Sequence, residues 1–143
     1  MAKAFRDRIH TMNELYKLPV HDAPHLFEGT DERLLKFKKT LLEEVAEIDE
    51  IVEQIHRGES EIEVQVAIAD LLGDIIVYCR SEAMKYGIPL EEVLDVIMDS
   101  NESKLGADGK PIYDENGKFL KGPNYWRPEP RIKELLAAYA TKK

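Results

Sequence analysis

The chain of 143 residues has little cysteine and no long apolar run. Its one cysteine, Cys79, cannot form a disulfide within the chain, and its apolar surroundings indicate a small buried hydrophobe. The first ten residues lack the apolar stretch of a signal peptide. No apolar run approaches the ~18 residues that span a bilayer. These absences predict a cytoplasmic protein that makes no membrane contact.

Basic charge is also scarce, except near the C-terminus. The net charge of −8 argues against nucleic-acid binding through a broad basic face. Residues 104–133 nevertheless carry seven Lys and Arg against four Asp and Glu, a balance of +3 there and −11 elsewhere. Such a segment suits a small polyanion better than DNA. The length predicts a single domain over residues 1–143, with a core of about 4–104 and a tail of about 105–143.

The spacing of apolar residues, together with helix-end signals, predicts an all-α fold. The predicted helices cover residues 4–16, 31–56, 60–86 and about 89–104, and a short one begins at Arg131. Thr30 is the expected N-cap of the second helix, and Gly87 is expected to end the third. Pro89 is expected in the first turn of the fourth helix. Asn116-Gly117 predicts a short β-hairpin in the tail.

Two carboxylates interrupt the nearly all-apolar segment of residues 64–79. Asp70 and Asp74 are four residues apart, so they share one face of the third helix. A helix that is apolar on most faces is usually buried among other helices. A buried carboxylate needs a cation or a proton to be tolerated. A divalent metal ion beside this pair is the simplest explanation.

The preceding helix carries a second group of acids. Between residues 40 and 56 it has six acidic side chains and no Lys or Arg. Three of them form a triangle at spacings of three and four residues: Glu43, Glu44 and Glu47. The pattern alone would also suit a solvated acidic face.

A turn around residues 57–60 makes these two helices antiparallel neighbours. Glu44 then comes level with Leu72, and Glu47 with Ala69, so Asp70 and Asp74 fall within about one turn, ~5 Å, of the triangle. The sequence therefore predicts that five carboxylates converge, and such an oxygen-rich cluster suits Mg²⁺ or Mn²⁺.

At this point the chain resembles a known family. Residues 41–48 (LLEEVAEI) and 69–78 (ADLLGDIIVY) are similar to the EExxE and ExxD/DxxxD signatures of the MazG-like NTP pyrophosphohydrolases. Residues 100–128 are similar to the NxxK and DGKxI…GKxLKxxxxWxP tail of single-domain members, many of them bacterial or phage proteins. The resemblance covers about residues 12–132.

The resemblance implies a four-helix core that forms a dimer or a dimer of dimers. It implies cleavage of a nucleoside triphosphate to the monophosphate and pyrophosphate, here with a deoxynucleotide in nucleotide-pool control. The cytoplasm would be that of a bacterium, or of its host if the chain is phage-encoded. The cofactor would be two or more Mg²⁺ ions per site, which Mn²⁺ could replace.

The family motif also implies the metal ligands, which would be Glu43, Glu44, Glu47 and Asp74. Many relatives have a further acidic ligand three residues before the last Asp, where this chain has Leu71. Asp70 stands one position earlier and is retained as a ligand, because some tail-bearing relatives also show DxxxD. Either Glu43 or Glu44 would be the general base, and the choice stays open.

The residues predicted to bind the substrate are Asn101, Lys104, Lys118, Lys121 and Trp126. Asn101 and Lys104 share one face of the fourth helix and would contact the sugar or the phosphates. Lys118 and Lys121 could reach the phosphates, in their own or a neighbouring subunit, or only keep the hairpin soluble. Trp126 could stack on a base or anchor the tail on the core.

Three alternatives remain. One is a phosphoribosyl-ATP pyrophosphohydrolase, against which the tail argues. Another is a di-iron carboxylate bundle, for which Glu53 and His56 supply one ExxH pair; such a bundle needs a second pair on another helix. The third is a non-catalytic oligomeric helical scaffold whose acids are solvated.

Overall fold

A computed structural model of the chain describes residues 2–140. These residues form five helices and one two-stranded sheet, which confirms the predicted all-α fold with a short hairpin. The elements are α1 (Ala2–Leu15), α2 (Thr30–His56), α3 (Glu61–Lys85), α4 (Leu90–Glu102), β1 (Ile112–Tyr113), β2 (Phe119–Leu120) and α5 (Glu129–Ala140). Across this described range, every helix is too short or too polar to cross a membrane.

The chain divides into two compact units, the first ending at Gly87 and the second beginning at Ile88. In the first unit, α2 packs along α3, and α1 also packs on α3. In the second unit, α4 contacts α5, and β1 pairs antiparallel with β2. The single domain over residues 1–143 stays a prediction.

The turn between α2 and α3 lies where the sequence placed it. Gly58 has a φ of 74°, a left-handed conformation that glycine adopts without steric cost. The Arg57 N–H donates to the Glu53 carbonyl at 2.9 Å and closes the last turn of α2. Ile51 of α2 and Leu71 of α3 are buried in the first unit. The short turn makes the two helices an antiparallel pair, and this pair carries the candidate metal ligands.

A buried polar contact joins α1 to α3. The Asn13 side chain has no solvent exposure. Its Nδ2 donates to the Ser81 carbonyl at 3.2 Å, while the Ser81 hydroxyl donates to Asn13 Oδ1 at 2.6 Å. The buried polar groups of Asn13 and Ser81 thus find their hydrogen-bond partners in each other's residue, so this contact fixes how α1 lies along α3.

The loop before α2 is held against the end of α3. The backbone N–H of His21 donates to the Met84 carbonyl at 3.1 Å, and that of His25 donates to the Tyr86 carbonyl at 2.9 Å. The His21 ring stacks on Phe27 with 5.5 Å between ring centroids. The loop is therefore an ordered part of the first unit.

The first helix begins at Ala2, two residues before its predicted start, and three further helix starts need correction. Thr30 is not the N-cap of α2, because Gly29 precedes the helix in a left-handed conformation and the Thr30 hydroxyl bonds back to Phe27. Pro89 is the N-cap of α4 rather than a residue of its first turn. The C-terminal helix begins at Glu129, two residues before Arg131.

The prediction that α3 is buried on most faces is wrong for a single chain. Several of its large apolar side chains are more than half exposed, namely Ile62, Val66, Leu72 and Ile76. Asp70 is exposed and Asp74 is only half-buried. The reason is that α1 and α2 cover only part of the α3 surface within the first unit. On α2, a similar apolar row is exposed and comprises Leu35, Leu42, Val45, Ile48, Val52 and Ile55.

Candidate functional site

The candidate site is built around Glu44, at the contact between α2 and α3. Its pKa is raised from 4.5 to about 7. The largest cause is a side-chain hydrogen bond with Glu47, followed by partial burial and then by the charges of Glu47, Asp74 and Asp70. The structure therefore brings three of the other four predicted carboxylates close to Glu44.

The fifth carboxylate, Glu43, lies near the edge of the same cluster. Its charge acts on the hydroxyl of Tyr78, which stands one turn after Asp74 on α3. The pKa of Tyr78 is raised mainly by burial and then by the charges of Glu44, Asp74, Glu47 and Glu43. The phenol of Tyr78 thus stays protonated and can donate a hydrogen bond beside the carboxylates.

One oxygen of the cluster lacks a partner. Glu44 Oε2 is fully buried and makes no hydrogen bond. A buried acceptor without a partner is unfavourable, so its presence at a site of several acids calls for a cation or a hydrogen-bond donor. Carboxylate oxygens are ligands that Mg²⁺ prefers. The side chains of this cluster therefore fit a hard divalent ion.

The side chains do not yet enclose such an ion. Within residues 2–140, no group of three or more His, Cys, Asp or Glu side chains is arranged to hold a metal as it stands. The contact between Glu44 and Glu47 instead stabilises a proton on Glu44 near neutral pH. Binding a metal ion would replace that proton and draw the carboxylates closer.

Two cavities flank the carboxylates in the first unit. One of about 380 Å³ lies beside Glu47 and Asp70, and acidic and amide side chains line much of it. The other, of about 370 Å³, begins at Asp74 and follows α3 toward Lys85. Its wall is mostly apolar, including Met12, Leu18 and Val77.

A buried charged cluster that the sequence analysis missed lies in the wall of the second cavity, at the end away from Asp74, which we call the inner end. Glu82 and Lys85 are both almost fully buried on α3. Lys85 Nζ donates to Glu82 Oε1 at 2.9 Å, and the Tyr86 hydroxyl donates to Glu82 Oε2. Arg33 Nε of α2 lies 4.0 Å from Glu82 Oε1. A Glu and a Lys three residues apart at the end of an apolar helix were the available signal.

In the second unit, the predicted substrate-binding residues are spread along α4 and the tail. Asn101, Lys118 and Lys121 are exposed. The Lys104 carbonyl accepts a hydrogen bond from the Gly122 N–H at 2.7 Å, which ties the tail to the end of α4. Their roles in binding stay predictions.

Trp126 makes the contacts of an anchor for the tail. Its backbone carbonyl accepts a hydrogen bond from the Ser100 hydroxyl of α4 at 2.9 Å, and its backbone N–H donates to the Ser103 hydroxyl at 3.2 Å. The guanidinium of Arg131 covers its ring at 3.6 Å from the centroid. One face of the indole is thereby occupied within the unit.

No model of a known protein family matches the chain, and no curated protein sequence does either. Among solved structures, the chain is similar to a protein from Exiguobacterium sp. 255-15 that carries the name "putative NTP pyrophosphohydrolase". The two share 18% sequence identity with a TM-score of 0.54, and the similarity covers 94% of each chain. At this identity, the similarity is one of fold.

Proposed function

We propose that the protein is a metal-dependent nucleoside triphosphate pyrophosphohydrolase. It would convert a nucleoside triphosphate and water to the monophosphate and pyrophosphate, with a deoxynucleotide as the preferred substrate. The observation that carries the proposal is the unpartnered buried oxygen of Glu44 among Glu47, Asp70 and Asp74. The fold shared with a protein named for this activity supports the reaction class, and the sequence motifs support it further.

The cofactor in this proposal is Mg²⁺, with Mn²⁺ as a substitute and two or more ions per site. The ligands would be drawn from the five clustered carboxylates Glu43, Glu44, Glu47, Asp70 and Asp74. Bound Mg²⁺ would stabilise negative charge on the phosphates and on the departing pyrophosphate. Because the cluster is acidic, a triphosphate would bind there together with cations.

Between the two glutamates considered as general base, the structure favours Glu44. Glu44 is half-buried, and the charges of Glu47, Asp74 and Asp70 act on it. Glu43 is exposed and has no comparable environment. In this proposal Glu44, where it is not fully engaged with metal, accepts a proton from the attacking water.

The basic tail would supply the remaining contacts to the substrate. Asn101 and Lys104 would bind the sugar or the phosphates, and Lys118 and Lys121 would neutralise phosphate charge. The exposed apolar rows on α2 and α3 favour a homo-oligomer, a dimer or a dimer of dimers, because a single chain leaves them in water. We place the protein in the cytoplasm, with neither nucleic acid nor membrane as a partner.

The test is pyrophosphate release from a panel of ribo- and deoxynucleoside triphosphates, with Mg²⁺ or Mn²⁺ and with chelator. Release that needs the divalent ion and is fastest with one or a few deoxynucleotides is the expected result. Release only from phosphoribosyl-ATP, tested beside the panel, would support the phosphoribosyl-ATP pyrophosphohydrolase alternative instead. No release from any of these by folded protein would contradict the proposal and favour the helical scaffold.

A further inference from the structure

The mostly apolar cavity beside Asp74 has the features of an organic ligand site. Its volume of about 370 Å³ lies in the usual range for pockets that bind small molecules. Its apolar wall meets a few polar groups at the inner end, the arrangement that orients a bound ring system. The cavity is contained within the first unit, and Asp74, one of the candidate metal ligands, lies in its wall.

The inner end of this cavity holds more positive than negative charge. Glu82 already accepts hydrogen bonds from Lys85 and Tyr86. Arg33 therefore faces a carboxylate whose charge another cation balances, and it lies 4.0 Å from it, beyond hydrogen-bonding distance. Arg33 Nε is buried without a hydrogen-bond partner. A guanidinium in this position has unused capacity to donate to a ligand.

The position of Arg33 separates it from the candidate metal ligands. Glu82, which Arg33 faces, follows Asp74 by eight residues on α3, about 12 Å along the helix axis. One phosphate group cannot reach both ends of that distance. A ligand with its phosphates at Asp74 has room to place its far end at Arg33.

We propose that this cavity receives the nucleobase of the substrate and that Arg33 donates a hydrogen bond to a carbonyl oxygen of that base. The inference rests on the proposed function, whose phosphates it places beside Asp74. A flat ring suits the apolar wall, and a carbonyl oxygen suits the donor. Uracil, thymine, cytosine and guanine all carry a ring carbonyl, whereas adenine carries none. The substrate class is therefore a nucleotide with a carbonyl-bearing base.

Kinetics with matched variants tests this specificity. Arg33→Met keeps the length of the side chain but removes the donor. For the best carbonyl-bearing nucleotide, it should lower kcat/KM by about 10- to 100-fold, mainly through KM, as expected when a hydrogen bond to a charged group is lost. With dATP, for which we expect a lower kcat/KM in the wild type, Arg33→Met should change kcat/KM by no more than about twofold, because adenine has no carbonyl that Arg33 could bind. Arg33→Lys should recover part of the loss.

The matched control is Arg57→Met, the same substitution at the exposed C-terminal end of α2. It should leave the base preference unchanged. Circular dichroism and thermal unfolding of each variant show whether Arg33→Met folds. An equal loss for all nucleotides, including dATP, would overturn the inference, and so would a wild-type preference for dATP.

Direct binding keeps the inference testable if no nucleotide is hydrolysed. Without divalent ions, saturation-transfer NMR with the five common 2′-deoxynucleosides should show binding of at least one carbonyl-bearing nucleoside to wild-type protein and loss of that signal in Arg33→Met. Absence of nucleoside binding would overturn the cavity assignment. Binding of inorganic tripolyphosphate that depends on Arg33 would also overturn it, because the guanidinium would then serve phosphate. Failure to hydrolyse any nucleotide, by contrast, would count against the proposed function.

Discussion

The carboxyl group of Glu44 hydrogen-bonds to that of Glu47, and this contact is the main reason that the pKa of Glu44 is raised to about 7. The folded chain therefore holds this proton more tightly than an unfolded chain, in which the pKa is about 4.5. The stabilising contribution is fully present below pH 4.5 and is lost as the pH rises to about 7. Above that pH the cluster is charged and open to a cation.

Metal binding should consequently strengthen with pH. A divalent ion at Glu44 must displace the proton, so the apparent affinity for Mg²⁺ should be about tenfold weaker at pH 6 than at pH 8. Thermal unfolding with increasing Mg²⁺ at the two pH values measures this as a shift in Tm. Glu44→Gln should abolish most of the difference between the Mg²⁺-induced Tm shifts at the two pH values. Equal Tm shifts at both pH values in the wild type would contradict the displacement of a proton from Glu44.

The buried pair of Asn13 and Ser81 should be important for stability. Asn13→Ala leaves the Ser81 groups without their partner, and we expect a loss of about 2 kcal/mol in the free energy of unfolding. Urea unfolding measures the loss. Ser81→Ala should lower the free energy of unfolding by less than Asn13→Ala does. The double variant should lower it by less than the sum of the two single losses, because both changes remove the same contact. Strict additivity would show that the pair is not coupled.

Two glycines with similar backbone angles should respond differently to alanine. Gly87 and Gly58 both have positive φ, 66° and 74°. A Cβ at Gly87 would lie 2.0 Å from the Ala23 carbonyl oxygen, whereas a Cβ at Gly58 meets nothing within 4 Å. Gly58→Ala should cost only the left-handed backbone energy, about 1–2 kcal/mol. Gly87→Ala should cost clearly more, because the loop before α2 must also move. Equal losses in denaturant unfolding would refute this.

The exposed apolar rows of α2 and α3 should be covered by another copy of the chain. Ile76, which is 58% exposed, lies in the row on α3. Ile76→Glu should shift the protein toward monomer in analytical ultracentrifugation, because a charge in an apolar interface is costly. Leu26→Glu introduces the same charge at a loop residue that is 71% exposed, and it should leave the mass unchanged. A monomeric wild-type protein would contradict the expectation.

Much of the fold could be predicted from local signals. The extent of α2, the turn at Gly58 and the stop at Gly87 depend on residues close in sequence, and all three are confirmed. The N-cap at Thr30 was wrong because Gly29 precedes the helix and the Thr30 hydroxyl turns to Phe27, a local competition that composition does not reveal.

The convergence of acids could be predicted because two helices joined by a short turn must lie side by side. The sequence could not predict how much of α3 is buried, because burial depends on what covers the helix beyond α1 and α2. The pair of Glu82 and Lys85 could have been found from its spacing, but the position of Arg33 beside it could not, because that depends on how α2 packs against α3. Asn13 and Ser81 are 68 residues apart, so no local pattern links them.

The most direct test of the central claim compares pyrophosphate release by three variants under saturating nucleotide and Mg²⁺. Glu47→Gln and Asp74→Asn remove a charge from the cluster, whereas Asp49→Asn makes the same kind of change two residues away on α2. With all three folded, we expect the first two to lose activity by about 100-fold or more and the third to keep it. Full activity in Glu47→Gln and Asp74→Asn would contradict the claim that these carboxylates perform the reaction.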